Sequence, residues 1–209
     1  LFAFIIGFAL FRLRRFYFSF STIALMTILN GIFANWTKGT GGPVGMGNLV
    51  QFSVGNFIFN TEAKYYYLIL GFSIAASIII WKLFRSPLGR SFMAVRDNET
   101  AASCMGVNIL LTKNIAFAIS GLLCGLAGSL FAFLSGYISA TSFALPQSQL
   151  YLVVIMIGGS SSPIGALIGS ILINLLPEWL RFLKDYMMLI YGVGIMGLMI
   201  VLPEGLVGG

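Results

Sequence analysis

Seven apolar runs separated by short polar intervals divide the chain. A helix that crosses a bilayer needs about 20 apolar residues, and the first run fits the end of such a helix. The runs are continuous, whereas the strands of a membrane barrel alternate apolar and polar residues in segments of about ten. The pattern therefore predicts an all-α polytopic membrane protein with about seven transmembrane helices. The runs are residues 1–11, 16–36, 65–83, 114–136, 142–157, 164–176 and 186–202.

Two connections leave the topology open. Residues 49–60 mix apolar and polar positions, which predicts a short strand or an interfacial helix. The string G-G-S-S-S-P at Gly158–Pro163 divides residues 142–176 into two apolar runs. These runs form either two spans, which return the C-terminus to the cytoplasm, or one re-entrant hairpin, which leaves it outside.

Composition requires lipid as the surrounding solvent. Charged residues make up 9% of the chain, against about 25% in soluble domains. The net charge of +6 fits basic cytoplasmic loops, so we expect no nucleic-acid partner. The chain has no His, which removes His-based catalysis and the common zinc sites. Leu1 opens inside an apolar run without the charged start of a signal peptide, and we expect further helices upstream.

The interval Arg85–Lys113 is the one long polar stretch, and it carries a third of the charged residues. Placing it in the cytoplasm leaves eight basic residues on that side and four on the other. Helical spacing after Pro87 and a stop at Gly106 predict two short helices with a bend, lying against the membrane surface. On the residues alone, a solvated connector explains this interval as well as a docking element does.

Glycine spacing marks two further features. Small residues three or four positions apart let membrane helices approach closely, and this predicts packing faces at Gly121, Gly125, Gly128, Gly165 and Gly169. The T-G-G-P string is either a tight external turn or a broken backbone that holds an amino acid in the substrate pathway. We favour the turn. Its residues are Thr40, Gly41, Gly42 and Pro43.

No source of energy is visible within the chain. The P-loop string G-x-x-x-x-G-K-[ST] is absent, and most spans hold no ionisable residue of the kind that proton- or sodium-coupled carriers use. We therefore expect transport whose energy comes from a partner protein, with no catalytic, cofactor or metal site in this chain. A secondary transporter with broken helices and a non-transporting scaffold remain alternatives.

Glu99–Gly106, read E-T-A-A-S-C-M-G, resembles the E-A-A-x-x-x-G signature of ABC importer permeases with Thr100 inserted. The wider string from Ser86 to Asn108 is similar to the loop of bacterial branched-chain amino-acid permeases. Three more strings resemble that family in the same order, whereas Met93, Cys104, Met105 and Glu204 depart from it. These strings are T-G-G-P-V-G-M at Thr40–Met46, I-G-G-S-S-S-P-I-G-A-L-I-G at Ile157–Gly169, and L-L-P-E-W-L-R-F-L with the tail L-P-E-G-L-V-G.

The resemblance implies a type II-like ABC importer permease fold, with residues 1–209 as one transmembrane domain in the bacterial inner membrane. Residues 84–113 are then a cytoplasmic coupling loop within that domain. The resemblance implies that Arg90, Arg96, Asp97 and Glu99 dock against an ATPase, and that Ala101, Ala102 and Gly106 permit close packing.

The implied partners are a second permease subunit, two cytoplasmic ATPase subunits that carry ATP and Mg²⁺, and an extracytoplasmic substrate-binding protein. The implied substrates are branched-chain amino acids. Related permeases carry urea or short amides, and the sequence does not separate these substrates.

Overall fold

The computed structural model describes residues 2–13, 15–47, 53–54, 57–58, 62–159 and 163–179, together with positions 192, 196 and 197. These residues are mostly helical, which confirms the expected helical, multi-pass chain. Among the described residues, four stretches are long and apolar enough to cross a membrane: Phe16–Asn35, Ala63–Arg85, Ile109–Ser135 and Ala140–Gly158. The predicted run at 186–202 lies outside the described residues apart from the three isolated positions.

Two compact units make up the chain, Leu1–Phe143 and Ala144–Gly209. The first unit contains seven of the described α-helices and four two-residue strands. Its helices are α1 (Phe2–Leu10), α2 (Arg15–Asn35), α3 (Thr37–Thr40), α4 (Glu62–Arg85), α5 (Pro87–Asp97), α6 (Glu99–Cys104) and α7 (Ile109–Ser135). Its strands are β1 (Met46–Gly47), β2 (Ser53–Val54), β3 (Phe57–Ile58) and β4 (Tyr137–Ile138), and two 3₁₀ turns lie at Gly42–Val44 and Ala140–Phe143.

The strands form two small antiparallel ladders. β2 pairs with β3, with Ser53 opposite Ile58, so the described part of residues 49–60 adopts the strand alternative. β1 pairs with β4, which joins the connection after α3 to the end of α7. Two long-range bonds reinforce this junction: the Tyr137 hydroxyl donates to the Val44 carbonyl at 2.6 Å, and the Asn30 amide donates to the Ala140 carbonyl at 2.7 Å.

α1 packs along α7 through small residues. Gly7 is buried, and a Cβ added there would collide with the side chains of Asn114 and Phe117. Gly121 faces Ala3 in the same way. No atom of the described chain lies within 4 Å of a Cβ built at Gly125 or Gly128. Of the predicted glycine face on α7, only Gly121 therefore makes a close contact inside this part of the chain.

Large apolar side chains on the long helices point outward. Phe16, Phe20 and Tyr67 are 83%, 71% and 70% exposed. In water such a surface would drive aggregation, whereas in a bilayer it faces hydrocarbon or another membrane helix. The outward apolar surface and the low charge content have the same cause, which is that lipid is the solvent.

The second unit contains the paired helices α8 (Leu145–Gly158) and α9 (Pro163–Trp179). Val154, Ile157 and Ile173 form its core. The helices touch backbone to backbone, because a Cβ at Gly165 would collide with the Gly158 carbonyl and a Cβ at Gly169 with the carbonyl of Val154. The two contacts run in opposite chain directions, so the helices are antiparallel.

Gly165→Leu should separate α8 from α9 and lower stability. The added side chain has no room beside the Gly158 backbone, and overpacking of this kind costs about 1–3 kcal/mol. Gly71→Leu is the matched control, because Gly71 lies in α4 with nothing within 4 Å of its built Cβ. Thermal unfolding of the purified protein in detergent should show a lower midpoint for Gly165→Leu alone, and equal midpoints would contradict the packing.

Candidate functional site

The polar interval after α4 folds as the two predicted short helices. α5 begins at Pro87, whose missing N–H would have no partner in a first helical turn. The Ser86 side chain accepts a hydrogen bond from the Gly89 N–H at 3.2 Å and caps the helix. A Cβ at Gly89 would collide with the backbone of Leu83 and Phe84. Glycine at this position therefore lets α5 pack directly on the end of α4.

Asn98 forms the bend between α5 and α6. Its backbone is extended, with φ −158° and ψ 109°, and its N–H donates to the Ala94 carbonyl at 3.1 Å. Its side-chain oxygen accepts from the Ala101 N–H at 3.0 Å, which caps α6. Asn98 thus ends α5 and starts α6, and it is the only residue between the two helices.

Gly106 ends α6 in a left-handed conformation with φ +83°. Its N–H donates to the Ser103 carbonyl at 3.0 Å, and the Val107 N–H donates to the Ala102 carbonyl at 3.1 Å. These two bonds form a Schellman motif, which normally places glycine at this position. No atom of the described chain lies within 4 Å of a built Cβ, so the requirement for glycine here is conformational.

The inner side of the α5–α6 segment is buried and contacts α7. Val95 of α5 and Ala102 of α6 are buried, at 7% and 4% exposure. The Lys113 ammonium of α7 lies 2.9 Å from a carboxylate oxygen of Glu99. Among the residues expected to dock against an ATPase or to pack closely, Ala102 and Glu99 therefore make contacts inside their own chain.

The outer side carries the other expected residues. Arg90, Arg96, Asp97 and Ala101 are exposed. Arg96 pairs with its neighbour Asp97 at 3.0 Å, with side chains 59% and 65% exposed. Such a pair contributes little to stability. The segment therefore exposes charged residues on one side and contacts the membrane helices on the other. We call the exposed residues Arg90, Arg96, Asp97 and Ala101 the outer face.

The T-G-G-P string lies in the first unit, at a separate place. The Thr40 hydroxyl lies 2.6 Å and 2.8 Å from the carbonyl oxygens of Phe33 and Trp36, and so links α3 to the end of α2. Gly41 has φ +72°, and a Cβ there would collide with the Gly45 carbonyl. The glycine is required by this close backbone approach.

The rest of the string has the same local explanation. Gly42 is buried, with φ +59°, and a built Cβ would lie 2.9 Å from the Thr37 methyl group. Pro43 is exposed in the 3₁₀ turn that follows. Beside this turn is a cavity of about 230 Å³ in which Thr40 and Ser139 are the hydroxyl-bearing residues. The geometry agrees with a tight turn, and the cavity is the one local feature that suits a pathway role.

Sequence reasoning missed the roles of three polar residues at the start of α7. The sequence identifies Lys113 only as a basic residue of the polar interval, because its separation of 14 positions from Glu99 does not reveal their contact. Asn108 caps α7 by accepting from the Leu111 N–H at 3.1 Å, which an Asn before an apolar run could have signalled. Asn114 is 1% exposed, and its side-chain oxygen has no hydrogen-bond partner among the described residues.

Comparison with known proteins identifies relatives of the whole chain. The profile of the family described as "Branched-chain amino acid transport system / permease component" matches residues 1–202. The high-affinity branched-chain amino acid transport system permease protein LivM of Escherichia coli is 30% identical over 97% of this chain and 53% of its own length. The Salmonella typhimurium protein of the same name is 29% identical with the same coverage.

A second group of relatives has a different name. The autoinducer 2 import system permease protein LsrC of Salmonella paratyphi B is 28% identical over 78% of this chain and 47% of its own length. The chain thus spans about half the length of the curated relatives it matches. No solved structure matches it.

Gly106→Val should destabilise the protein more than Gly106→Asn. A β-branched residue rarely adopts positive φ, whereas Asn tolerates it, and a strained backbone of this kind costs about 1–3 kcal/mol. Both side chains extend into open space, so sterics do not separate the two variants. The midpoint of thermal unfolding in detergent should fall in the order wild type, Gly106→Asn, Gly106→Val. Equal midpoints for the two variants would show that the left-handed conformation is not needed.

Proposed function

Because the chain belongs to the family of branched-chain amino acid transport system permease components, we propose that it is the membrane-spanning permease subunit of an ATP-driven importer for branched-chain amino acids. It is a multi-pass protein of the bacterial inner membrane. The family match over residues 1–202 carries the proposal, and the capped, anchored segment α5–α6 supports it. In the proposed type II-like fold, residues 1–209 contribute about seven spans.

The proposed coupling element is α5–α6, with its outer face in contact with a cytoplasmic ATPase that binds ATP and Mg²⁺. Three caps in sequence, at Ser86, Asn98 and Asn108, fix where each helix begins. Direct packing at Gly89 joins the segment to α4, and Glu99 joins it to α7. A displacement of the outer face is therefore passed on to two membrane helices and not absorbed by a loose loop.

Import then proceeds by alternating access. Closure of the ATPase pair would move α4 and α7 relative to the other helices, and substrate would pass from an extracytoplasmic binding protein to the cytoplasm. The outward apolar surface of the long helices, with the open positions at Gly125 and Gly128, is available to lipid and to the second permease subunit. Nothing in this scheme requires an ionisable group within a span.

We favour branched-chain amino acids as the substrates, because the relatives named for them match 97% of the chain, against 78% for the relative named for autoinducer 2. The second relative shows that this family includes permeases with another named substrate. Urea or short amides remain alternatives within the family. A secondary transporter is the alternative from another class.

ATP-dependent uptake tests the proposal. The full-length permease, with the second permease and the two ATPases, is reconstituted in vesicles and supplied with the binding protein. Labelled leucine should accumulate only with internal ATP, and excess isoleucine or valine should reduce it while excess urea should not. Leucine uptake by the permease alone under an ion gradient would instead establish a secondary transporter. Competition by urea or by autoinducer 2 would reassign the substrate.

Arg90→Glu should reduce uptake and transport-linked ATP hydrolysis, because it reverses a charge on the outer face. Arg12→Glu is the matched control. Arg12 is also exposed and basic, but it follows α1 and stacks on Phe8 with 5.1 Å between the guanidinium carbon and the ring centroid. A like charge brought opposite a charge across an interface costs several kcal/mol, so co-purification of the ATPases should weaken for Arg90→Glu only. Equal retention and uptake for both variants would place the ATPase contact elsewhere.

A further inference from the structure

The Glu99–Lys113 ion pair joins two helices that the chain could otherwise let move apart. Glu99 is the first residue of α6, and Lys113 is the fifth residue of α7. Their charged groups approach to 2.9 Å, and the side chains are 40% and 34% exposed. A second ion pair, Arg96–Asp97, connects neighbours in one helix and is more exposed. Of these two pairs, only Glu99–Lys113 bridges separate elements.

Helix electrostatics favour this pairing. The amino-terminal end of a helix carries a partial positive charge, which attracts a carboxylate and repels a cation. Glu99 is favourably placed at the start of α6, whereas Lys113 lies within the first two turns of α7, where a cation gains nothing from the dipole. The carboxylate of Glu99 therefore serves the start of α6 and also neutralises Lys113.

The residue after Lys113 fastens α7 to α1. Asn114 is 1% exposed, and a Cβ added at Gly7 of α1 would collide with its side-chain oxygen. Thr112, the preceding residue, is also buried and bonds the Asn108 carbonyl through its hydroxyl at 2.7 Å. Lys113 thus lies between two buried residues, in the part of α7 that packs against the rest of the unit.

From this arrangement we propose that Glu99 and Lys113 form an internal strut that transmits movement of α6 to α7, so that Glu99 is a positioning residue and not a contact of the ATPase. The inference rests on the proposed function, because it deepens the role of the coupling element. The partner then meets the outer face, while Glu99 keeps α6 from sliding over α7.

Charge exchange tests the strut in the complete reconstituted importer. Glu99→Lys and Lys113→Glu each place two like charges together, so leucine transported per ATP hydrolysed should fall about fivefold or more, as for loss of a typical coupling energy. The double variant restores opposite charges and should recover most of the ratio. Arg12→Glu provides the control, since it reverses an exposed charge that follows α1 and belongs neither to the Glu99–Lys113 pair nor to the outer face.

ATPase co-purification separates the two roles of Glu99. The strut requires that Glu99→Lys keeps the ATPases bound while the transport ratio falls. If Glu99→Lys releases the ATPases and the double variant fails to recover them, Glu99 is a docking residue and the strut is wrong. If neither single variant changes the ratio, the strut is also wrong.

The mobility of a spin label on α6 tests the strut without any transport measurement. Cys104 is a free, exposed thiol at the end of α6, and with Cys124→Ser it becomes the single site for a nitroxide label. Label mobility should rise in each single variant and return in the double variant. Unchanged mobility in the single variants would overturn the strut even in a protein that transports nothing. Absence of ATP-driven uptake by the wild type, with the mobility pattern intact, would refute the proposed function alone.

Discussion

Every peptide group inside the hydrocarbon of a bilayer must find its hydrogen-bond partner within the protein, because no water is present to supply one. This constraint favours the long uninterrupted helices α2, α4 and α7. Where a helix ends, the freed N–H and C=O groups need other hydrogen-bond partners. Outside α-helices, some of the described backbone pairs in short ladders, as β1 does with β4, and some turns at capping side chains or at glycines with positive φ. The fold is therefore best understood from the places where the helices stop.

Those places use a small set of devices. Ser86, Asn98 and Asn108 supply side-chain oxygens to the unpaired N–H groups at helix starts. Gly41 and Gly106 supply left-handed backbone where a helix must end. Each device costs little space, which matters where short helices follow one another without linkers. In the segment α5–α6, a particular residue specifies each turn: Ser86, Asn98 and Gly106.

The same segment divides its charges between two surfaces. Arg90, Arg96 and Asp97 point outward, where water or a partner solvates them, whereas Glu99 turns toward Lys113. A charged side chain near the membrane is stable when water or an opposite charge compensates it. In the proposed mechanism, the outer face contacts the ATPase and the Glu99–Lys113 pair transmits the resulting movement to α7. Both roles are proposed here from that geometry.

The amino-acid sequence by itself indicated that lipid surrounds the chain, that its spans are α-helices and that the polar interval contains two short helices. Hydropathy, run length and turn residues are local properties, and they carry this information. It also marked Gly165 and Gly169 as packing positions, where α9 meets the backbone of α8. Tertiary structure decided which glycines meet a neighbour: Gly121 contacts Ala3, while Gly125 faces open space in the described chain. It also decided that Glu99 pairs with Lys113. Such pairings depend on how helices far apart in sequence are brought together, and no local pattern encodes that distance.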